Sequence, residues 1–328
     1  MTLPRIHLLI GPGTLHSRGG SRMDFAHYRN SGKPRMTGEE LLAAIPEIAQ
    51  VAQVTVDASN PHEVTTLDEI RRLTQRVNAL LQRPDVDGVV FVQGTNVLEE
   101  TAYFLTLTVK SAKPVVVTGA QRPFTALSSD APLNLYDAFR VAAHGESHDK
   151  GVVVVTNGEI NAARDVTKTN TYHVHTFRTR DLGILGYADA DRVVYYRAPL
   201  QRHTVNSEFD ADKLLPRVEV LHIYAGSQAG MAEAAYKLGA KGLVIAGIGA
   251  GAIGNLGFEC AAIAAEGRAV VVRSARVGEG RVLVDSAYHE KNMIAAGNLL
   301  PQKAALLLSL ALARTTDLAE IQRMFDEY

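Results

Sequence analysis

The run Val89-Val90-Phe91-Val92-Gln93-Gly94-Thr95-Asn96-Val97-Leu98-Glu99-Glu100-Thr101-Ala102-Tyr103-Phe104-Leu105 constrains this chain more than any other stretch. It opens as an unbroken apolar segment after Asp87-Gly88, the pattern of a strand buried on both faces. After Gly94 the apolar spacing turns helical, with Leu98, Ala102 and Leu105 on one side. Thr95 and Asn96 therefore stand above the carboxyl end of a sheet strand, where open α/β folds place their ligands. Asn96 has a second reading as a helix N-cap, with Glu99 three residues on completing a capping box. Thr95 puts a polarised hydroxyl beside the same helix start.

The same rhythm recurs along the chain. Strands are predicted over 5–10, 51–56, 113–119 and 151–157, with helices over 37–45, 67–82 and 133–143 between them. Strands over 218–224, 242–247 and 269–273 alternate with helices over 231–238 and 258–266, and helices over 301–313 and 317–325 close the chain. Such alternation implies βαβ units and an α/β fold, with a mainly parallel sheet in a larger N-terminal domain and a smaller α/β C-terminal domain. From Gly183 to about Pro216 the chain is short-stranded, charged and proline-containing. The domains are accordingly placed at 1–195 and 217–328, with 196–216 as linker. One long irregular stretch, Gly11 to Lys33, has the length of a lid or binding loop, and Tyr28 is its one hydroxyl-bearing aromatic.

Composition narrows the function classes. A formal net charge of -1 offers no field for nucleic acid or an anionic membrane, and no apolar run approaches a membrane span. Cys260 is the single cysteine, so no internal disulfide forms, and its setting in Phe258-Glu259-Cys260-Ala261 reads as a buried helix position. The first ten residues enter a strand with no small-residue cleavage site, which favours a cytoplasmic protein; the alternative is a periplasmic one with its leader removed.

Several motifs are weaker than they look. Gly249-Ala250-Gly251-Ala252-Ile253-Gly254 satisfies the literal dinucleotide fingerprint, yet the following strand ends in Arg273-Ser274-Ala275-Arg276, with no acid for a ribose. A tight glycine turn is the better reading. His173 and His175 alternate along a candidate strand without the Cys or carboxylate partners of a metal site, so neither metal nor cofactor is expected. No nucleophile elbow, Walker loop or zincin helix occurs. What remains is a set of hydroxyls at strand ends, Thr14, Ser59 and Thr95, with Lys168 on a loop after a further strand. A threonine hydroxyl becomes a nucleophile only with help, and a desolvated lysine can supply it. Thr95 beside Lys168 would be a workable acyl-transfer pair, with strand-end N–H groups as oxyanion donors. The plainer alternative is a set of turn residues that cap helices.

At these residues the chain resembles the bacterial-type L-asparaginases of the asparaginase/glutaminase family. Gly13-Thr14-Leu15 is similar to the end of the family's Thr-Gly-Gly-Thr-Ile signature, although Gly11-Pro12 departs from its opening. Gly94-Thr95-Asn96-Val97-Leu98-Glu99-Glu100-Thr101-Ala102-Tyr103-Phe104-Leu105 is similar to the second signature, His-Gly-Thr-Asp-Thr-x-Glu-Glu-Thr-Ala-Tyr-Phe-Leu. Gly119-Ala120-Gln121-Arg122-Pro123 and Ala163-Arg164-Asp165-Val166-Thr167-Lys168-Thr169-Asn170-Thr171 match as well, so the resemblance spans nearly the whole chain. It implies a homotetramer, a dimer of dimers, with active sites between subunits and a small amide as substrate. It implies Thr14 as the nucleophile, Tyr28 as its assistant, and Thr95 with Lys168 as a second hydroxyl–amine pair. Ser59 and Asn60 would hold the substrate's α-carboxylate and amino end, and Asp285 would be the acid given across the subunit interface.

Two departures bear on substrate choice. Asn96 stands where the family has an Asp that pairs with the substrate's α-ammonium, a charge-assisted contact worth on the order of 1.5–3 kcal/mol. Ala250 stands where periplasmic relatives have an Asn that reaches the neighbouring site. The expected activity is amide hydrolysis with L-asparagine as default substrate. The alternatives are a small amide without the ammonium, or a weakly catalytic ligand-binding relative.

Overall fold

A computed structural model describes residues 2–328, which divide between Ser207 and Glu208 into two compact units. The larger unit contains β1 (Arg5–Ile10), α1 (Gly38–Ala44), β2 (Gln53–Val56), α2 (Leu67–Leu81), β3 (Gly88–Val92), α3 (Leu98–Thr108), β4 (Val115–Thr118), α4 (Ala131–Ala142) and β5 (Val152–Thr156). It ends in shorter strands, β6 (Glu159–Ala162), β7 (Val166–Lys168), β8 (Phe177–Thr179), β9 (Gly186–Ala188) and β10 (Val193–Tyr195). The main sheet runs β10-β9-β6-β5-β4-β3-β1-β2, while β7 and β8 pair separately. Strands β1 to β5 are all parallel; β6, β9 and β10 extend the sheet antiparallel.

Burial accounts for these choices. Every residue of β3, β4 and β5 is buried, as a central strand covered by helices requires, and valine supplies most of the side chains. In α3 only Glu100 is not buried, so this helix is a core element and shows no polar face. Both α1 and α2 begin in complete capping boxes, Thr37 with Glu40 and Thr66 with Glu69.

The strand order contains one reversal. From β1 the chain steps outward to β2, then returns past β1 to β3 and continues to β4 and β5. The connections after β1 and β3 step in opposite directions along the sheet, so the carboxyl ends of these two strands flank the switch point, where open α/β sheets bind ligands. The register aligns Ile10 with Val92, so both strands end at the same level.

The smaller unit holds β11 (Val218–His222), α5 (Met231–Lys237), β12 (Gly242–Gly247), α6 (Gly257–Ala265), β13 (Val270–Ala275), α7 (Ser286–His289), β14 (Met293–Ala295), α8 (Pro301–Leu312) and α9 (Leu318–Glu327). Its four strands are parallel and lie in chain order, β11-β12-β13-β14, with no reversal. Helix α8 packs on β11, β12 and β13, and Leu221, Leu243, Ile245 and Ile263 centre the core under α5 and α6. Cys260 is fully buried in α6, and burial pushes its thiol up to about 12.

The stretch 196–216 is a structured passage. Thr204–Asn206 form a 3-10 turn packed on α3 in the larger unit, whereas Phe209 is buried against Tyr328 in the smaller one. Among the described residues no helix is long and apolar enough to cross a membrane.

Candidate active site

The loops after β1 and β3 touch at their glycines. Gly94 N–H donates to the Pro12 carbonyl at 2.9 Å, and Gly11 N–H donates to the Val92 carbonyl at 2.7 Å. A Cβ on Gly13 would lie 2.4 Å from the Gly94 nitrogen, so only glycine permits this approach. One residue beyond each glycine stand Thr14 and Thr95, both buried.

Each threonine has a specific partner. Thr14 Oγ1 and the Tyr28 hydroxyl are 2.7 Å apart, with Tyr28 carried on a 3-10 turn, Tyr28–Asn30. Lys168 Nζ donates to Thr95 Oγ1 at 2.7 Å, and Thr95 in turn donates to Gln121 Oε1 at 3.0 Å. Lys168 ends β7, and its backbone N–H donates to the buried Glu99 carboxylate at 2.7 Å. Burial and the nearby Arg29 guanidinium lower the Lys168 pKa, against an opposing pull from Glu99. A lysine so placed gives up its proton more readily than one in water.

Thr14, Tyr28, Arg29, Thr95, Asn96 and Lys168 line one cleft of about 370 Å³, together with Gln121. The backbone N–H groups of Thr14 and Thr95 meet no protein acceptor among the described residues, which leaves them for an oxyanion. Hydrogen bonds from outside hold the first loop in place, Met36 N–H to the His16 carbonyl and Phe124 N–H to the Ser17 carbonyl, and Ser17 Oγ to the Gly13 carbonyl braces it from within.

Other expected residues are placed differently. Asn96 does not cap α3: that helix starts at Leu98 with Val97 at the N-cap, and Asn96 lies exposed in the preceding turn. The Glu99 carboxylate that would have closed the box is taken by Lys168 N–H instead. Ser59 and Asn60 do not line the cleft. Ser59 Oγ donates to Asp57 at 2.5 Å, while Asn60 Oδ1 accepts from Ile10 N–H at 2.8 Å and so braces the end of β1. Asp57 is itself buried and ion-paired to Arg76 at 2.8 Å; burial raises its pKa, but Arg76 and Ser59 more than offset this, leaving it below the usual carboxylate range. Asp285, in the smaller unit, caps α7 through its bond from Ala287 N–H and is exposed.

His173 and His175 sit in the turn between β7 and β8 and not along a strand, since Asn170 Oδ1 captures the N–H groups of Tyr172 and His173. Their rings are tilted against each other, and among the described residues no metal-holding group of three His, Cys, Asp or Glu forms. The Gly249–Gly254 run is a tight turn: Gly249, Gly251 and Gly254 all have positive φ, and Ile248 bridges to Ala252. Arg273, where a ribose-binding acid would be needed, is buried over the Tyr288 ring at 3.9 Å.

Sequence reasoning missed Gln121, Glu99 and Arg29 as site residues. Gln121 and Glu99 were already within matched motifs, Glu99 read only as a capping-box partner; Arg29 gives no spacing signal.

Comparison with known proteins identifies the family. Residues 5–201 match the family model for the asparaginase N-terminal domain, and residues 217–325 match the glutaminase/asparaginase C-terminal domain. The chain is 40% identical to L-asparaginase 2 of Bacillus subtilis (strain 168), over 99% of this chain and 87% of that protein. It is 38% identical to a probable periplasmic L-asparaginase of Haemophilus influenzae, over 99% and 93%. The crystal structure of a probable cytoplasmic L-asparaginase from Campylobacter jejuni superposes with a TM-score of 0.92 at 37% identity, covering 99% of this chain and 100% of that one.

Proposed function

The chain belongs to the asparaginase family and is a hydrolase of carbon–nitrogen bonds, and on that premise we propose that it releases ammonia from a small carboxamide, L-asparagine by default, through an acyl-enzyme on Thr14. The observation that carries this reading is the pair of hydroxyl contacts in one cleft, Thr14 with Tyr28 and Thr95 with Lys168.

Thr14 Oγ1 attacks the amide carbon while its proton passes toward the Tyr28 oxygen. The N–H groups of Thr14 and Thr95 face the developing oxyanion. Collapse breaks the carbon–nitrogen bond, and the departing nitrogen leaves as ammonia after taking up one proton. Water then hydrolyses the Thr14 ester, with neutral Lys168 receiving a proton through Thr95 and returning it as Thr14 is regenerated. At rest Gln121 accepts the Thr95 hydroxyl proton and Lys168 donates to the same oxygen; the hydroxyl turns toward neutral Lys168 when it relays a proton.

The working form is a homotetramer in which a second copy adds Asp285 to the cleft. Asp285 is exposed beside Leu283 and Val284, 57% and 56% exposed, a combination that a neighbouring copy would bury. A lone buried thiol supports a reducing, cytoplasmic setting.

Asn96 favours a second reading within the same chemistry. It lines the cleft without a charge, so an amide lacking the α-ammonium loses nothing there. Ammonia release from L-asparagine, L-glutamine, D-asparagine and succinamate, by wild type and Asn96→Asp, separates the two. Preference for asparagine by wild type supports the default substrate. Near-inertness toward asparagine until Asn96 becomes Asp supports the second reading, and no release from any amide contradicts both.

A further inference from the structure

No carboxylate lines the cleft at Thr14 and Thr95 among the described residues, and Asn96 adds no charge there. The adjoining space of about 320 Å³, which shares Tyr28, Arg29 and Asn96 with it, has no carboxylate either. An α-ammonium taken out of water in this place needs an acid beside it. On the reading above, that acid is Asp285 of a second copy. How firmly the smaller unit holds Asp285 therefore bears on the substrate.

Asp285 stands on a largely exposed segment. Residues 283–287 are all exposed, and α7 is a single turn of 4 residues that Asp285 caps. Val282 anchors the start of the segment, its N–H donating to the Gly297 carbonyl at 2.8 Å. Arg273 of β13 then grips it twice. Arg273 Nη2 donates to the Leu283 carbonyl at 2.8 Å, and Cζ lies 3.9 Å from the centre of the Tyr288 ring. These two contacts bracket Asp285 in sequence. Arg273 Nη1 lies 3.5 Å from the Gly251 carbonyl, in a turn where a Cβ on Gly251 would meet Val282 at 2.7 Å.

A charge at this position is costly. Arg273 is only 3% exposed, forms no ion pair among the described residues, and has a buried Nε that meets no acceptor there. Other arginines of the smaller unit are neutralised: Arg217, Arg268 and Arg323 each hold a glutamate within 2.8 Å. Burial lowers the Arg273 pKa, against opposing pulls from Tyr288 and Asp285. An apolar side chain of similar volume would fill the same space without a desolvated charge. What the guanidinium adds is a planar fork, one edge on the Leu283 carbonyl and its face on the Tyr288 ring.

We infer that Arg273 is a positioning residue for amide hydrolysis in the neighbouring copy: by holding Leu283 and Tyr288 it fixes Asp285, and through Asp285 the α-ammonium of the bound amide. The inference rests on the asparagine reading above, with Asp285 given by a second copy. An ammonium is placed only as well as its counter-ion. Loosening Arg273 thus weakens binding of an amide that carries the ammonium and spares one that lacks it.

The test measures kcat and KM for ammonia release from L-asparagine and from succinamate, which lacks the ammonium. Wild type, Arg273→Lys, Asp285→Asn, the double variant, Tyr288→Leu and Thr14→Ala are compared. Arg273→Lys keeps the charge but cannot grip carbonyl and ring together. It should raise KM for L-asparagine about tenfold, with kcat/KM on succinamate within about twofold of wild type. Asp285→Asn should raise that KM at least as much, and the double variant no further, because both act on one contact. Tyr288→Leu leaves the bond to Leu283 in place and should shift KM the same way by about threefold, which carries the test where Arg273→Lys loses the fold. An L-asparagine KM that neither Arg273→Lys nor Tyr288→Leu moves, a loss equal on both amides, or a double variant whose effects multiply overturns the assignment alone. A KM unmoved by Asp285→Asn overturns the second copy's acid, and the assignment falls with it. Release from both amides no faster than that of Thr14→Ala overturns the amidohydrolase reading itself, and with it the assignment.

Discussion

Two glycine-rich turns follow parallel strands in this molecule, and only one builds a site. After β12, Gly249–Gly254 has the literal spacing of a nucleotide-binding loop, yet its sheet runs in chain order and every crossover steps the same way. No crevice opens above such a sheet. After β1, Gly11–Gly13 is a poorer motif, but β1 lies between β2 and β3, where the order reverses. Loops from β1 and β3 meet there at Gly13 and Gly94, and two threonines arrive side by side. Strand order, more than glycine spacing, decides where chemistry can be placed.

The sharpest way to break this contrast is to remove chemistry from the first turn. Thr14→Ala, Thr95→Ala and Lys168→Met should each lower kcat by about 10²–10⁴-fold with melting temperature nearly unchanged, as loss of a nucleophile or of general base assistance does. Retention of more than about a tenth of the wild-type rate by Thr14→Ala would remove the larger unit's claim to the reaction.

Glycine substitutions test the geometry itself. Gly13→Ala puts a methyl 2.4 Å from the Gly94 nitrogen, so the two loops must part; about 3 kcal/mol of stability and most of the activity should go. Gly254→Ala meets nothing nearer than 3.6 Å and carries only the strain of its positive φ, about 1–2 kcal/mol. Chemical denaturation with activity per folded molecule distinguishes the two. Equal effects would mean that neither loop depends on close approach.

Acid should find the first turn before it reaches ordinary carboxylates. Burial, with Arg35 adding to it, lowers the His16 pKa to about 4, while the unfolded chain titrates near 6.5. Between those values the unfolded state binds a proton that the folded state refuses, so stability falls as pH drops from about 6.5 to about 4. The loss approaches 2–3 kcal/mol at the lower end, about 1.36 kcal/mol per pH unit. Melting temperature against pH should show it, and His16→Phe should flatten that limb.

The smallest effect is a displacement of the activity profile. Lys168 must be neutral to accept a proton, so kcat should rise with pH through a value below that of a free lysine. Burial and Arg29 lower this pKa and Glu99 opposes them; Arg29→Gln should therefore move the rise to higher pH. A rise that stays in place would separate Arg29 from the reacting centre.

Local signals carried much of this architecture. The buried run of β3, the Thr37–Glu40 capping box and the amphipathic α2 all form where periodicity and capping place them. Contacts distant in sequence carried the rest. Asn96 had every local qualification to cap α3, but Glu99 was claimed by the backbone of Lys168, 69 residues away. The engagement of Ser59 with Asp57, itself paired to Arg76 of α2, likewise depends on how β2 and α2 come together. Thr14, Thr95 and Lys168 were legible as chemistry-bearing residues; that Gly13 and Gly94 bring the two threonines together was not.

The most direct test of the central claim is partitioning between water and hydroxylamine. An acyl-enzyme common to all substrates, formed on Thr14, gives the same hydroxamate-to-acid ratio from an amide and from the methyl ester of the same acid, and Thr14→Ala forms neither product above background. A ratio that changes with the leaving group, or hydroxamate formation that survives in Thr14→Ala, would contradict it.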